Sequence, residues 1–193
     1  MMAWRVQVIF GMCLALLMTL MGCGGAQGSK TAANAKEGEV GEHTSDEDAT
    51  VRYNDYMAAA GMALSEERLD DALSYYLSAA EVLDETGEVT IRRADAHYEA
   101  AGVAYQRYQK EMAIEQYQKA VEVYLRFSGN ALLKAAVALT NTGVIWKELK
   151  DRARARTAWQ QALEIYRAAP QTGQTSIHMQ KVQANIQELD EGY

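Results

Sequence analysis

The chain has 193 residues, 49% of them hydrophobic and 23% charged, with a net charge of −7. These proportions suit an ordinary globular protein and exclude collagen-like and wholly disordered classes. An acidic chain without a basic block is a poor partner for nucleic acid or anionic lipid, because both need clustered Lys and Arg.

The first 22 residues read as a leader. Arg5 supplies a minimal positive start, and residues 6–21 are mostly apolar. A membrane-spanning helix needs about 20 apolar residues, so the stretch is short for a span and suits a signal peptide. Leu20, Met21, Gly22 and Cys23 follow. This quartet resembles the lipobox that ends bacterial lipoprotein signal peptides, with Met21 departing from the usual small or β-branched residue. The resemblance implies cleavage after Gly22 and lipidation of Cys23. Two or more acyl chains hold a protein stably on a membrane. The residue after Cys23 is Gly24, not Asp, which resembles lipoproteins sorted to the outer membrane in Gram-negative cells. If the leader is not cleaved, inner-membrane anchoring is expected instead. Cys13 lies inside the leader and reads as apolar filler. No cysteine remains beyond Cys23 for a disulfide or a zinc site.

Residues 24–49 read as a tether. Gly, Ala, Ser, Thr and acidic residues dominate, with Val40 the one large aliphatic. Such a segment buries too little apolar surface to order itself. Its acidic patch, residues 42–48, reads as solvated spacer.

From residue 51 the chain repeats. Gly61, Gly102 and Gly143 stand 41 residues apart, and Ala79, Ala120 and Ala162 stand 41 and 42 apart. Ala72, Ala113 and Ala155 keep the register, as do Tyr76, Tyr117 and Trp159. A period of 20–50 residues signals a solenoid or array. Each unit reads as two helices. In the second, Ala113, Tyr117, Ala120, Val121 and Tyr124 fall on one helical face. The three mid-helix glycines suggest a crossing too close for a Cβ, and Gly87, Gly129 and Gly173 suggest left-handed helix ends. A last helix over residues 176–190, with Met179, Val182, Ile186 and Leu189 as its stripe, reads as a cap. The single proline, Pro170, interrupts none of these helices.

This pattern resembles the tetratricopeptide repeat, whose motif runs small residue, aromatic, alanine, aromatic, alanine. Unit three matches with Gly143, Trp146, Ala155, Trp159 and Ala162. Unit two offers Gly102, Tyr105, Ala113, Tyr117 and Ala120. Unit one offers Gly61, Leu64, Ala72, Tyr76 and Ala79. On this alignment units one and two lack one residue of the internal turn. The long period resembles repeats of the kinesin-light-chain type. The implied fold is an all-α solenoid of three helix hairpins plus a capping helix. The units are about 51–87, 89–129 and 130–173, the cap is 174–190, and the whole repeat domain is 51–193.

Chemistry is hard to assemble from these residues. There is no Gly-rich phosphate loop, no HExxH and no Gly-x-Ser-x-Gly. His97 and His178 lack the neighbours of a zinc site and read as surface residues. No metal, cofactor, small-molecule substrate or catalytic residue is expected. What remains is surface. In tetratricopeptide stacks the first helices line a groove. The resemblance places Met62, Ser65 and Glu66 there from unit one, Glu99, Val103 and Arg107 from unit two, and Thr140, Val144 and Lys147 from unit three. Glu99 stands where a carboxylate clamp would want a base, so that mode of peptide capture is rejected. The expected function is a non-catalytic, lipid-anchored adaptor of the bacterial cell envelope, at the outer membrane and facing the periplasm, with an unidentified protein partner. The alternatives are a homo-oligomeric structural lipoprotein joined through open solenoid ends and, below it, an enzyme with an unrecognised site.

Overall fold

The computed structural model describes the backbone of residues 43–191 and the side chains of residues 47–191. The leader, Cys23 and residues 24–42 lie outside the described residues. Among the described residues seven helices follow one another: α1 (His43–Ser65), α2 (Leu69–Glu85), α3 (Ile91–Gln106), α4 (Lys110–Tyr124), α5 (Asn130–Glu148), α6 (Arg152–Ala168) and α7 (Gly173–Glu191). No strand occurs among the described residues. Helices pack in sequence order, as hairpins α1–α2, α3–α4 and α5–α6, each laid on the next, with α7 closing on α6. The all-α solenoid read from the repeat is the fold.

The second helices follow the expected face. Ala72, Ala113 and Ala155 are fully buried, as are Ala79, Ala120 and Ala162, with Tyr76, Tyr117 and Trp159 between them. Alanines at these crossings let helices approach closely, and the aromatic rings fill the space between hairpins.

The tether ends earlier than expected. Residues 43–49 are helical and belong to α1. Ala49 is 2% exposed, so this segment contributes to the packed face.

The first-helix register is also corrected. Each hairpin turns through one non-glycine residue with positive φ: Glu67 (58°), Tyr108 (60°) and Lys150 (63°). Each turn carries the same pair of backbone bonds. Arg68 N–H donates to Ala63 O (2.8 Å), Gln109 N–H to Ala104 O (2.9 Å) and Asp151 N–H to Trp146 O (2.9 Å). The shorter bonds run from Glu67 to Leu64, Tyr108 to Tyr105 and Lys150 to Lys147. This is the Schellman closure of a helix. All three turns have the same length, so no residue is missing from any of them. Aligned on the turns, Gly143 corresponds to Ala101 and Ala60, both fully buried, rather than to Gly102 and Gly61. Trp146 likewise corresponds to Ala104 and Ala63, not to Tyr105 and Leu64. A Cβ on Gly143 would lie 2.3 Å from Trp159 Nε1, whereas one on Gly61 meets nothing and one on Gly102 makes an ordinary contact. Close crossing therefore explains one of the three glycines.

The end-of-unit glycines also divide. Gly87 (φ 69°) follows α2, whereas Gly129 (φ 64°, ψ −129°) precedes α5 and Gly173 opens α7.

Candidate functional site

With the register corrected, the face of the odd-numbered helices can be built residue by residue. The positions expected to line it scatter. Val103 is 2% exposed and part of the core, because the unit-two register was displaced by one residue. Thr140 is also buried. Its hydroxyl donates to Ala136 O (2.8 Å) and its carbonyl accepts from Trp159 Nε1 (3.0 Å). Met62 is 63% exposed on α1, and Ser65 donates to Met62 O (2.8 Å). Glu66 pairs with Arg68 (2.8 Å), and Arg107 pairs with Asp70 of the first hairpin. Lys147 pairs with Glu188 of α7 (2.6 Å), and Val144 is half-buried against the α6–α7 cluster. Glu99 remains exposed on the odd-helix face. These nine residues do not form one continuous groove.

The face that the structure assembles is richer in tyrosine. Asp95, Tyr98, Gly102 and Tyr105 of α3 share one side of the helix at three- and four-residue spacing. Tyr98 meets Tyr117 edge to face, with centroids 5.4 Å apart and planes at 64°. Asn141 of α5 donates to Tyr117 Oη (3.2 Å). Tyr105 Oη donates to Glu148 (2.5 Å), which also pairs with Lys110 (2.9 Å). Tyr124 Oη donates to Asp95, and Lys134 Nζ lies 2.6 Å from the same carboxylate. Tyr117 is buried in the core and Tyr105 packs against it, and their hydroxyls carry polar links between α3, α4 and α5.

Titration follows from these contacts. Burial pushes the Tyr117 phenol up to about 12, with Tyr98 adding to the shift. The hydrogen bond to Glu148 pushes Tyr105 up to about 12. The same bond, with Lys110, holds the Glu148 carboxyl below its usual value. Loss of hydration, and then the neighbouring Asp95, raises the Glu99 carboxyl, with Lys134 opposing. Glu99 makes no ion pair among the described residues. It is an anion without an ion-pair partner on an aromatic surface, with Lys134 acting on it from a distance.

His97, expected at the surface, is 4% exposed. Its Nδ1 lies 2.8 Å from Gln116 Oε1, and its Nε2 lies 3.5 Å from Asp84. It ties α3 to α4 and α2. A helical pattern that places it one residue after buried Ala96 was the available signal. His178 is half-buried and stacks on Tyr166, with centroids 5.6 Å apart and planes 4° from parallel. Among the described residues, no three His, Cys, Asp or Glu side chains converge as metal ligands, and no helix is long and apolar enough to cross a membrane.

The family model for soluble NSF attachment proteins (SNAP) matches residues 26–193. Among solved structures, BtubC (BKLC) from P. vanneervenii is 23% identical, with a TM-score of 0.57 over 72% of this chain and 59% of that one. The apo form of RapI is 20% identical, with a TM-score of 0.57 over 71% of this chain and 50% of that one. The Sgt2 TPR domain from Aspergillus fumigatus is 14% identical, with a TM-score of 0.51 over 72% of this chain and 82% of that one. The chain thus spans between half and three-fifths of the length of the first two, and at these identities the likeness is one of fold. No curated protein sequence matches at a significant level.

Proposed function

The chain belongs to the soluble NSF attachment protein family, and from that premise we propose that it is a non-catalytic adaptor that holds a protein partner on its odd-helix face. Helical repeats of this kind act through extended surfaces rather than through a reaction centre. The observation that carries the reading is the Asp95–Tyr98–Glu99–Tyr105 side of α3. Its tyrosines are fixed by hydrogen bonds and edge contacts, while Glu99 keeps an exposed, unpaired carboxylate. Rigid aromatic side chains and an unneutralised charge suit recognition of a partner segment of opposite charge.

The place of action in this reading is the bacterial cell envelope. The lipobox resemblance at residues 20–23 supports lipidation of Cys23, and Gly24 supports sorting to the outer membrane with the solenoid facing the periplasm. A Cys23→Ala variant is expected to leave the membrane fraction. Fractionation identical to wild type would end the anchor reading.

Cross-linked capture of the full-length protein from its native envelope tests the adaptor. A reproducible partner is expected, with recovery reduced by Glu99→Lys while the helical content stays constant. Recovery of the protein alone would replace the adaptor by a homo-oligomer joined through the ends of the stack.

A further inference from the structure

We propose that the outer face of α1 is a docking surface for an amphipathic helix of a protein partner that carries one basic residue. The basis is a comparison of the same face on three odd-numbered helices. Aligned on the hairpin turns, Asp55, Ala59 and Met62 of α1 correspond to Ala96, Ala100 and Val103 of α3 and to Ala138, Thr142 and Ile145 of α5. Spacings of four and three residues put each trio on one side of its helix. On α3 and α5 none of the six is more than 5% exposed. They face the even-numbered helix before them: Ala96 clusters with Ala80 of α2, and Ala138 with Val121 of α4. Among the described residues no helix precedes α1. There Asp55 is exposed, Ala59 is half-buried and Met62 is 63% exposed.

The α1 face follows the plan of the other two, with one change. Ala59 and Met62 keep the order of a small residue and a larger apolar one seen in Ala100 and Val103. Val51, 51% exposed, and exposed Ala58 widen the apolar area. Asp55 stands where the covered helices have alanine. It pairs with no cation among the described residues, whereas Asp48 and Arg52 on the same side pair with each other (3.8 Å). A carboxylate at this point rejects a wholly apolar helix, because burial would strip its water without compensation. It favours a helix that brings Lys or Arg to it. On the covering helices that place belongs to Ala80 of α2 and, 41 residues on, to Val121 of α4. A partner helix lying on α1 as α4 lies on α5 therefore needs small or aliphatic residues toward Ala59 and Met62 and a base at the place of Val121.

A second copy of the chain fits this face less well. Two α1 helices paired antiparallel through the middle of the face would bring their two Asp55 carboxylates together, and like charges so placed repel. Copies joined end to end would set α1 against the outer side of α7. That side, opposite buried Val182 and Leu189, carries exposed Ile177, Gln180, Ala184 and Gln187, without a cation to meet Asp55. The α1 face belongs to a different helix from the α3 surface of the adaptor reading and stands without that reading.

The test is binding of fluorescent peptides to the full chain. One probe is the α4 sequence, residues 110–124, with Val121→Lys, and the other is the same sequence with Val121→Glu. Saturable binding of the lysine probe is expected, with the glutamate probe weaker by about tenfold or more. Asp55→Lys in the chain should reverse that order. Met62→Gln should weaken the lysine probe by about fivefold. Asp55 and Met62 are both exposed, so the variants keep the fold, and helical content checks this. Exchange of a probe with the chain's own α4 would be indifferent to Asp55→Lys and is thereby told apart. Absence of saturable binding, equal affinity for the two probes, or an order unmoved by Asp55→Lys would overturn the proposal. Self-association of the chain that Met62→Gln abolishes would give the face to a second copy. Binding of the lysine probe only after removal of residues 24–42 would give it to this chain's own segment. Either result would also overturn the partner helix.

Discussion

Trp159 occupies the space that a side chain on residue 143 would need. Its indole Nε1 would stand 2.3 Å from a Cβ there, while donating to the carbonyl of Thr140 at 3.0 Å. Gly143→Ala must therefore move a fully buried ring or break its hydrogen bond. A loss of about 2–4 kcal/mol is expected, combining overpacking with an unpaired indole N–H. Gly61→Ala meets open space in a helix interior and is expected to gain about 1 kcal/mol. Chemical denaturation of the two variants checks the contrast, and loss of stability in both would refute the register assigned to the first helices.

The hairpin turns invite the reverse substitution. Lys150 holds φ at 63°, a conformation that disfavours any residue with a Cβ. Lys150→Gly is expected to add about 0.5–1 kcal/mol, and Gly87→Ala, at φ 69°, to remove about 1 kcal/mol. Midpoints from thermal unfolding should move in opposite directions.

Glu148 and Glu99 should respond to acid with opposite signs. The folded-state value of Glu148 is depressed by Tyr105 and Lys110, so its contribution is present above the usual carboxylate value of 4.5 and lost as pH falls through the folded value. The value of Glu99 is raised, so its contribution is present below 4.5 and lost as pH rises through the folded value. Glu148→Gln should thus lower stability at pH 7 and have little effect near pH 3. Glu99→Gln should raise stability at pH 7 relative to wild type, with the gain vanishing in acid. Solvent screening keeps each effect within about 1 kcal/mol. Melting temperatures across pH give the readout, and parallel profiles for the two variants would contradict the assigned environments.

His97→Ala is expected to cost about 2–4 kcal/mol, since it opens a cavity and strips Gln116, itself 5% exposed, of its partner. Gln116→Leu in the same chain should recover part of that loss. A double-mutant cycle measures the coupling, and strict additivity would show that the contact carries no energy.

The second helices were legible in the sequence because one face of small and aromatic residues repeats in each. Ala72, Tyr76 and Ala79 mark the same buried stripe as Ala155, Trp159 and Ala162. The first helices were misread by one residue in two units. Gly61 and Gly102 keep a perfect spacing with Gly143, yet the packing position is held by Ala60 and Ala101. Alanine and glycine are both small enough for a close crossing, so spacing alone favoured the wrong one. The turns that settle the register are closed by Glu67, Tyr108 and Lys150, three chemically unrelated residues. Nothing in their side chains announces a left-handed conformation. The tyrosine links were hidden for a different reason. Pattern places Tyr105 and Tyr124 toward neighbouring helices, but which carboxylate meets each hydroxyl depends on how α3 lies against α5 and α4.

Packing in strict sequence order, each helix against the one before and the one after, has a mechanical corollary. Contacts are short-range along the chain, so folding requires little loop closure and should be fast. The same arrangement lets the stack peel from an end. Helix α7 is secured mainly through α6, by Arg156–Asp190, the Arg152 bond to the Leu189 carbonyl and the buried Val182 and Leu189. Hydrogen exchange should therefore be fastest in α7 and slowest in α4, which is flanked on both sides.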